Sequence, residues 1–349
     1  MITTPWPNLL PYATPAGEID PYDPSNAPLF RGEEAFAPEI IGWQRWSKPS
    51  PEPRLDETFE GLLLDSIARE KAAVAGMVET LAEKVAASVP SAPLLVAILR
   101  AGVPVGALLA RSLRRRFGEP VPLVALSLFD GLGWDTAALE AALRDHPGRP
   151  VVFVDGWTSG GGVAGELRRS HVRWLSSGRP DFTNGEGPRL AVLLDPRGLT
   201  GYSALQADRF VPSSLFTAPE TLGFSRGFAA ANGGMFRVYR FPDRLLRPSY
   251  VEAWMAESGD VENLEAPTVG DTPAPEAVPP PGWRLHVNEV VRALINRNPR
   301  EVLLRDDEPA AATALAPVLH LCRLRGVPVS YGREEVAAWG AVAAARMKD

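Results

Sequence analysis

One short stretch of the chain, residues 151–167, constrains the fold more than any other. It opens with the apolar run Val-Val-Phe-Val, which is typical of a strand buried on both faces of a parallel sheet. An acid, Asp155, follows at once, then a turn of Thr, Ser and Gly residues, and a helical pattern begins at Val163. A strand, a loop and a helix N-terminus are therefore predicted one after another within residues 151–167.

The turn in this stretch predicts an anion site. Three glycines let successive backbone N–H groups converge, two hydroxyls add donors, and the helix N-terminus adds partial positive charge. The residues concerned are Thr158, Ser159, Gly160, Gly161 and Gly162. A tight turn without a ligand is the alternative interpretation. The order matches neither a Walker loop, because no Gly-Lys-Ser/Thr follows, nor a dinucleotide fingerprint, because the acid precedes the glycines.

The same plan of strand, turn and helix recurs along the chain. Strands are predicted at 93–99, 121–128, 151–154 and 190–194, and helices at 56–88, from 104 onward, at 135–145 and at 163–177. This alternation predicts an α/β fold, a parallel sheet with flanking helices and with ligands at the carboxyl ends of its strands. We expect the turns at Arg100, Asp130, Asp155 and Asp195 to open on that edge.

The chain of 349 residues has room for two domains. We predict a Pro-rich N-terminal arm (1–54), a main α/β domain (55–256), a Pro- and acid-rich linker (257–282) and a small C-terminal domain (283–349). The pattern of the last segment predicts an αβαβα unit. Its elements are a helix to 297, a strand at 301–304, a helix at 311–325, a strand at 327–329 and a helix at 333–346.

Composition excludes several classes of protein. The single cysteine rules out an internal disulfide, and the chain shows neither a signal-peptide pattern nor an apolar stretch of membrane-spanning length. These features predict a soluble, cytoplasmic protein without a membrane partner. The net charge is −6, with six acids in 257–282, so no general basic surface for nucleic acid is expected. The four dispersed histidines predict no metal site formed by protein alone.

Residues 151–162 resemble the signature of the type I phosphoribosyltransferases. In that family a hydrophobic strand, an acid and Thr-Ser-Gly-Gly cradle the 5′-phosphate of phosphoribosyl pyrophosphate. Gly156 stands where most members have a second acid for the ribose, as it does in uracil-type members. The segment Ile98-Leu99-Arg100-Ala101-Gly102 is similar to the uracil-type loop that wraps the pyrophosphate.

This resemblance implies a phosphoribosyltransferase that uses phosphoribosyl pyrophosphate or a ribonucleotide, a nitrogenous base and Mg²⁺. Residues 158–162 would bind the phosphate, Asp155 the ribose hydroxyls, and Arg100 with the amides of Ala101 and Gly102 the pyrophosphate. Asp155 and Arg100 would then be catalytic. A surface arginine on a βα turn is the other interpretation of Arg100. The alternative function is a sensor that binds the same ligand without turnover, and a homodimer is a further expectation.

A glycine-rich turn at 130–135 is a second candidate feature. Members of the resembled family carry a mobile loop here that closes over the active site. Glycines permit such movement. The residues are Asp130, Gly131, Gly133 and Asp135. A helix N-cap is the alternative role of Asp135.

The C-terminal unit resembles the ribosomal L7Ae and Pelota group of RNA-binding domains. The similar residues include Asn288-Glu289, Arg292 and the polar run 306–309. The resemblance implies that Asn288, Glu289 and Arg292 contact structured RNA, and a protein-interaction role is the alternative.

Both parts of the chain together resemble a bacterial family associated with tellurite-resistance and stress-response gene clusters. The stretch from Pro212-Ser213-Ser214 to Ser225-Arg226 adds to this resemblance. It implies a role in making or modifying a ribonucleoside. Some members carry a cysteine-protease label. Here the only cysteine, Cys322, lies on an apolar helix face, which argues against a thiol nucleophile.

Overall fold

The structure is a computed structural model, and it describes residues 2–37, 39–231, 233–257 and 275–348. The predicted linker at 257–282 lies partly outside these residues. The strands are β1 Leu9–Pro11, β2 Thr14–Glu18, β3 Leu94–Ile98, β4 Leu123–Leu126, β5 Leu128–Phe129, β6 Gly133–Trp134, β7 Val151–Trp157, β8 Arg189–Leu194, β9 Tyr202–Leu205, β10 Arg237–Arg240, β11 Trp283–Leu285, β12 Glu301–Leu304, β13 Val329–Ser330 and β14 Ala343–Arg346. The helices are α1 Glu57–Ser88, α2 Gly102–Phe117, α3 Thr136–Asp145, α4 Gly162–Ser176, α5 Ala218–Thr221, α6 Pro248–Glu257, α7 Val287–Asn296, α8 Glu308–Ala314, α9 Ala316–Arg325 and α10 Glu334–Ala338.

A six-stranded sheet in the order β1-β4-β3-β7-β8-β9 forms the centre of the larger part, and all of its pairings are parallel. Alternate side chains of β7 face opposite ways, so Val152 packs in one core and Phe153 in another. Residues of α1 and α2 belong to the first core, and residues of α3 and α4 to the second. The predicted parallel sheet with flanking helices is therefore confirmed.

The N-terminal arm lies against the main body. Strand β1 extends the sheet by pairing with β4, and β2 pairs in parallel with β10. Farther along the arm, Trp46 stacks on Phe129, with ring centroids 4.7 Å apart and an interplanar angle of 7°. The arm thereby reaches the carboxyl edge of the sheet, where the predicted turns lie.

The C-terminal unit contains a four-stranded mixed sheet in the order β11-β14-β12-β13. The predicted helix at 333–346 is wrong, because the helix ends at Ala338 and Ala343–Arg346 forms β14 between β11 and β12. Alanine favours helix locally, but burial between two antiparallel partners overrides that preference. The predicted helix at 311–325 is divided at Leu315, and Pro317 lies in the first turn of α9. The unit is therefore not αβαβα.

Contacts between the two parts are buried and specific. The carboxylate of Asp208 accepts hydrogen bonds from the amides of Val287, at 3.0 and 3.1 Å, and of Val342, at 2.7 Å. The Asn288 side chain accepts from Val211 N at 3.1 Å and donates to Arg209 O at 2.7 Å. These bonds place the N-terminus of α7 at the carboxyl edge of the six-stranded sheet.

Candidate functional site

A cavity of about 670 Å³ opens at the carboxyl edge of the six-stranded sheet. Its walls come from the N-terminal arm, the turns after β3 and β7, the segment after β9, and the C-terminal unit. Arginines outnumber acids in this lining. The arginines are Arg45, Arg100, Arg197, Arg226, Arg284, Arg292 and Arg297, and the acids are Asp130, Asp155, Glu166 and Glu289. Such an excess of positive charge favours anions.

The predicted anion turn lies in this wall, between β7 and α4. Thr158 N donates to Leu194 O at 2.9 Å, so this amide is occupied. The amides of Ser159, Gly160 and Gly161 form no hydrogen bond with any other residue that the structure describes. Gly161 has φ +76°, and a Cβ atom there would lie 2.9 Å from Leu199 Cδ1. The positive φ therefore favours glycine at 161, and a side chain there would also displace the end of Leu199.

The close packing of β7 against the start of α2 favours glycine at position 156. A Cβ atom at Gly156 would lie 3.3 Å from Ala101 O and 3.4 Å from Ala101 Cβ. A Cβ atom at Gly102 would overlap Val154 O. A side chain at 156 would therefore require Ala101 to shift by a few tenths of an ångström, so the close packing favours glycine after Asp155.

Asp155 lines the cavity and is buried. Its Oδ1 accepts a hydrogen bond from Gly156 N at 2.8 Å. Burial raises the pKa of the Asp155 carboxyl to about 7, against the opposing effect of the Gly156 amide and of Arg292. Both the protonated and the ionised carboxyl are therefore present near neutral pH. The first can donate a hydrogen bond to a ligand and the second can accept one.

Arg100 lines the cavity, but its guanidinium already has two protein partners. It forms an ion pair with Glu52 of the N-terminal arm and donates to Asn296 Oδ1 of α7 at 2.8 Å. Ala101 lines the cavity beside it, while Gly102 begins α2. Pyrophosphate binding by Arg100 stays a prediction, and it would require a change in these contacts.

The segment 130–135 contributes one residue to the cavity and is tied down by hydrogen bonds. Gly131 N donates to Glu166 Oε2 at 3.0 Å, and a Cβ atom at Gly133 would lie 2.6 Å from Ser170 Oγ. Asp135 caps α3 by accepting from Ala138 N at 3.0 Å. Asp130 lines the cavity. Closure of this segment over a ligand stays a prediction.

The three residues predicted to contact RNA lie at the contact with the main body. Asn288 is buried there, and Glu289 accepts from Trp157 Nε1 at 2.9 Å. Arg292 donates to Glu289 Oε1 at 3.2 Å, and both line the cavity. Although burial opposes ionisation, Arg292, Trp157 and Arg284 together hold the pKa of Glu289 below its usual range. RNA binding at this face stays a prediction, and it would require the two parts to separate.

His286 is a neighbour of the anion turn that the sequence did not mark as functional. Its Nδ1 shares a hydrogen bond with Ser159 Oγ, which also donates to Leu285 O at 3.3 Å. Burial, with a smaller effect of Arg197, lowers the pKa of His286 to about 4, so the ring is neutral at pH 7. His286 has φ +76°, where glycine is usual. The one signal available from the sequence is that a histidine stands where the resembled L7Ae and Pelota domains usually have a glycine.

The segment after β9 supplies further cavity residues for which the sequence predicted no role in the site. Ser213, Ser214 and Arg226 line the cavity, so this segment covers part of it. Residues 207–234 contain small hydroxyl residues and aromatics, and this sequence is equally consistent with a hood over a ligand and with an edge without function. No hydrophobic period marks it, so only the tertiary contacts place these side chains at the site.

Neither a metal-binding cluster nor a membrane-spanning helix is found in the part of the chain that the structure describes. Across 2–37, 39–231, 233–257 and 275–348, no group of three or more His, Cys, Asp or Glu side chains is placed to hold a metal ion. Binding of Mg²⁺ together with a pyrophosphate ligand stays a prediction. In the same ranges no helix has the length and apolar character needed to cross a membrane.

Cys322 lies in α9, outside the cavity lining. It is 1% exposed, and burial raises the pKa of its thiol to about 12. A thiol nucleophile needs exposure and a stabilised thiolate, and Cys322 has neither.

Comparisons with known proteins give one curated relative and one solved structure of interest. The chain is 31% identical over 169 residues to "Cysteine protease StiP" of Acinetobacter baylyi (strain ATCC 33305 / BD413 / ADP1), a match that covers 48% of this chain and 40% of the relative. The chain thus spans less than half of that relative's length. It is also similar to a solved hypothetical protein from Neisseria gonorrhoeae with bound ppGpp, at 17% identity, 38% coverage of this chain, 77% of that chain and a TM-score of 0.25. That TM-score supports no conclusion.

A family profile described as "Tellurite-like stress resistance cysteine protease StiP" matches residues 46–232. The description supports the predicted link to tellurite and stress resistance, and the relative bears the name of an enzyme. Both names specify a protease, so the prediction of a phosphoribosyltransferase that uses phosphoribosyl pyrophosphate is wrong. The sensor alternative assumed the same ligand and falls with it. Because the profile covers more than half of the chain, this protein belongs to the tellurite-like stress resistance cysteine protease StiP family.

Proposed function

We propose that the cavity is an enzyme active site that binds a small phosphorylated substrate, with a phosphate over the turn at 158–162. The observation that carries the proposal is the set of unbonded amides at Ser159, Gly160 and Gly161, placed before the N-terminus of α4 in a cavity rich in arginine. Backbone amides and a helix N-terminus bind phosphate without a dedicated side chain.

Asp155 supports a substrate that carries hydroxyl groups beside the phosphate. Its Oδ1 is held by Gly156 N, and no described residue donates to its Oδ2. A hydroxyl group of the phosphorylated substrate would supply that donor. Arg292 lies close enough to Asp155 to lower its pKa, so a ligand that binds here also meets the C-terminal unit.

The two parts of the chain also resemble known fold families. We infer that the main body has a type I phosphoribosyltransferase-like fold, on the order of strand, acid and Thr-Ser-Gly-Gly turn, and that the C-terminal unit is L7Ae-like. A fold carries no activity by itself, and transfer of a pentosyl group is not part of the proposal.

The test is a binding measurement with a matched pair of glycine variants. Isothermal titration calorimetry with inorganic phosphate, pyrophosphate and ribonucleoside 5′-monophosphates should give saturable binding for at least one compound. Gly161→Ala should weaken it at least fivefold, because φ +76° and Leu199 oppose a side chain at 161. Gly178→Ala should bind like the parent, since Gly178 has a similar φ of +78° but lies outside the cavity lining, after α4. Absence of binding by all compounds, or equal affinities in the two variants, would refute the proposal.

Peptide hydrolysis is a second candidate function, because the family description names a protease. No cysteine occurs within the matched residues 46–232, and Cys322 is buried. The observation that favours hydrolysis is the hydrogen bond between Ser159 Oγ and His286 Nδ1 beside free amides, an arrangement of nucleophile, base and oxyanion donors. The low pKa of His286 makes it a weak base, which ranks this candidate second.

A covalent probe separates this candidate from the first. A fluorophosphonate should label Ser159 if the pair is catalytic, and both Ser159→Ala and His286→Gln should abolish labelling. An unlabelled serine under conditions that label a reference serine hydrolase would remove this candidate and leave phosphate binding unaffected.

A further inference from the structure

Arg226 is a cation in the cavity without a carboxylate partner. The only hydrogen bond of its guanidinium to a described residue is from Nη1 to Ser50 Oγ at 3.3 Å, and no described carboxylate lies within salt-bridge distance. Two other arginines of the cavity differ in this respect. Arg100 is paired with Glu52, and Arg292 with Glu289.

Other arginines surround Arg226 and add positive charge near its guanidinium. Burial, together with Arg292, Arg100 and Arg297, lowers its pKa to about 9, against the opposing effect of Glu52. A desolvated guanidinium that faces like charges is costly unless an anion accompanies it. A protein can retain such a group when its ligand supplies the anion.

Ser214 provides an independent observation in the same cavity. It lines the cavity and is 6% exposed, and its hydroxyl has no hydrogen-bond partner among the described residues. A buried hydroxyl without a partner is uncommon in native proteins. Ser213 beside it also lines the cavity, and both belong to the short 3-10 helix Pro212–Leu215.

We propose that Arg226 and Ser214 form a second anion subsite in the cavity, separate from the turn at 158–162. The inference rests on the proposed function, because it assumes that a first phosphate lies over that turn. It narrows the substrate class to compounds that carry two separate anionic groups, such as sugar or nucleoside bisphosphates. Arg226 supplies the charge and Ser214 a neutral donor.

The experiment compares bisphosphates with their monophosphate parents. The probes are adenosine 3′,5′-bisphosphate against adenosine 5′-monophosphate, and ribose 1,5-bisphosphate against ribose 5-phosphate, each titrated calorimetrically into the full chain. At least one bisphosphate should bind tenfold or more tightly than its parent. Arg226→Gln and Ser214→Ala should each reduce that ratio below threefold, and Ser214→Ala should leave the affinity for the monophosphate within twofold. Ser214→Ala keeps the charge of the cavity, so it tests the subsite without a general electrostatic effect.

Arg284→Gln is the charge-matched control. Arg284 also lines the cavity but lies 3.5 Å from Glu289. The ion pair with Glu289 already offsets the charge of Arg284, so its removal should change the ratio by less than twofold. A ratio near one in the parent protein, or a ratio that survives Arg226→Gln, would overturn the second subsite while the proposed function stands. Failure of all four compounds to bind would refute the proposed function and the subsite with it.

Discussion

Gly102 lies so close to Val154 that a Cβ atom at this position would overlap the Val154 carbonyl oxygen and lie 3.0 Å from the carbonyl carbon. The contact joins the first turn of α2 to β7, immediately before Asp155. The backbone on one side of the cavity is therefore fixed by the absence of a side chain.

Gly102→Ala should destabilise the protein by about 2–3 kcal/mol, since the overlap is with backbone that cannot rotate away. Urea unfolding followed by circular dichroism measures the change. The control is Gly61→Ala in α1, where a Cβ atom meets nothing within 4 Å and alanine should add about 0.5–1 kcal/mol. Equal effects of the two substitutions would contradict the packing at Gly102.

Asp155→Asn should raise the melting temperature most at pH 8, less at pH 5 and little at or below pH 4. The folded pKa of about 7 lies above the ordinary value of 3.8, so the folded state favours the protonated carboxyl. The stability contributed by that preference is complete below about pH 4 and is lost as the pH rises through 7. Removal of the ionised carboxylate should restore about 1–4 kcal/mol at pH 8. Thermal scans of both proteins at four pH values would show the divergence. A constant difference across the range would contradict the raised pKa.

Cys322 should not react with Ellman's reagent in the folded protein at pH 8. The thiol is buried and its pKa is raised to about 12, so thiolate and access are both lacking. In guanidinium chloride one equivalent of thiol should react at once, which serves as the control. Rapid labelling of the folded protein would show an accessible thiolate and would reopen cysteine chemistry for this chain.

Asn288→Ala should cost about 2–4 kcal/mol of stability, since it leaves the buried Val211 amide and Arg209 carbonyl without their partner. Thr313→Ala, which removes one exposed hydrogen bond to Pro309 O, should cost well under 1 kcal/mol. Chemical denaturation compares the two. A negligible loss at Asn288 would mean that this side chain is available to other partners, RNA included.

The elements around the anion turn could be predicted from sequence because their signals are local. The apolar run at 151–154 and the glycines after it occur within one stretch, and the structure has β7, the turn and α4 there. The end of the chain could not be predicted in the same way. Ala343–Arg346 becomes a strand only because β11 and β12 lie on either side of it.

The electrostatics of the cavity were also beyond sequence reasoning. Arg100 was predicted to meet a ligand, but its pairing with Glu52 depends on how the arm crosses the main body. Arg226 carries no local signal, and its lack of a carboxylate partner becomes visible only when its neighbours are known. Charge balance is a property of the assembled cavity, whereas hydrophobic period belongs to each element.

The walls of the cavity are held together by contacts between residues far apart along the chain. Trp157 and Glu289 are separated by 132 positions, and Arg100 and Asn296 by 196. Contacts of such long range form late in folding, because the intervening chain must be ordered first. Recovery of ligand affinity during refolding should therefore lag behind recovery of helix content, which makes affinity a sensitive report of complete assembly.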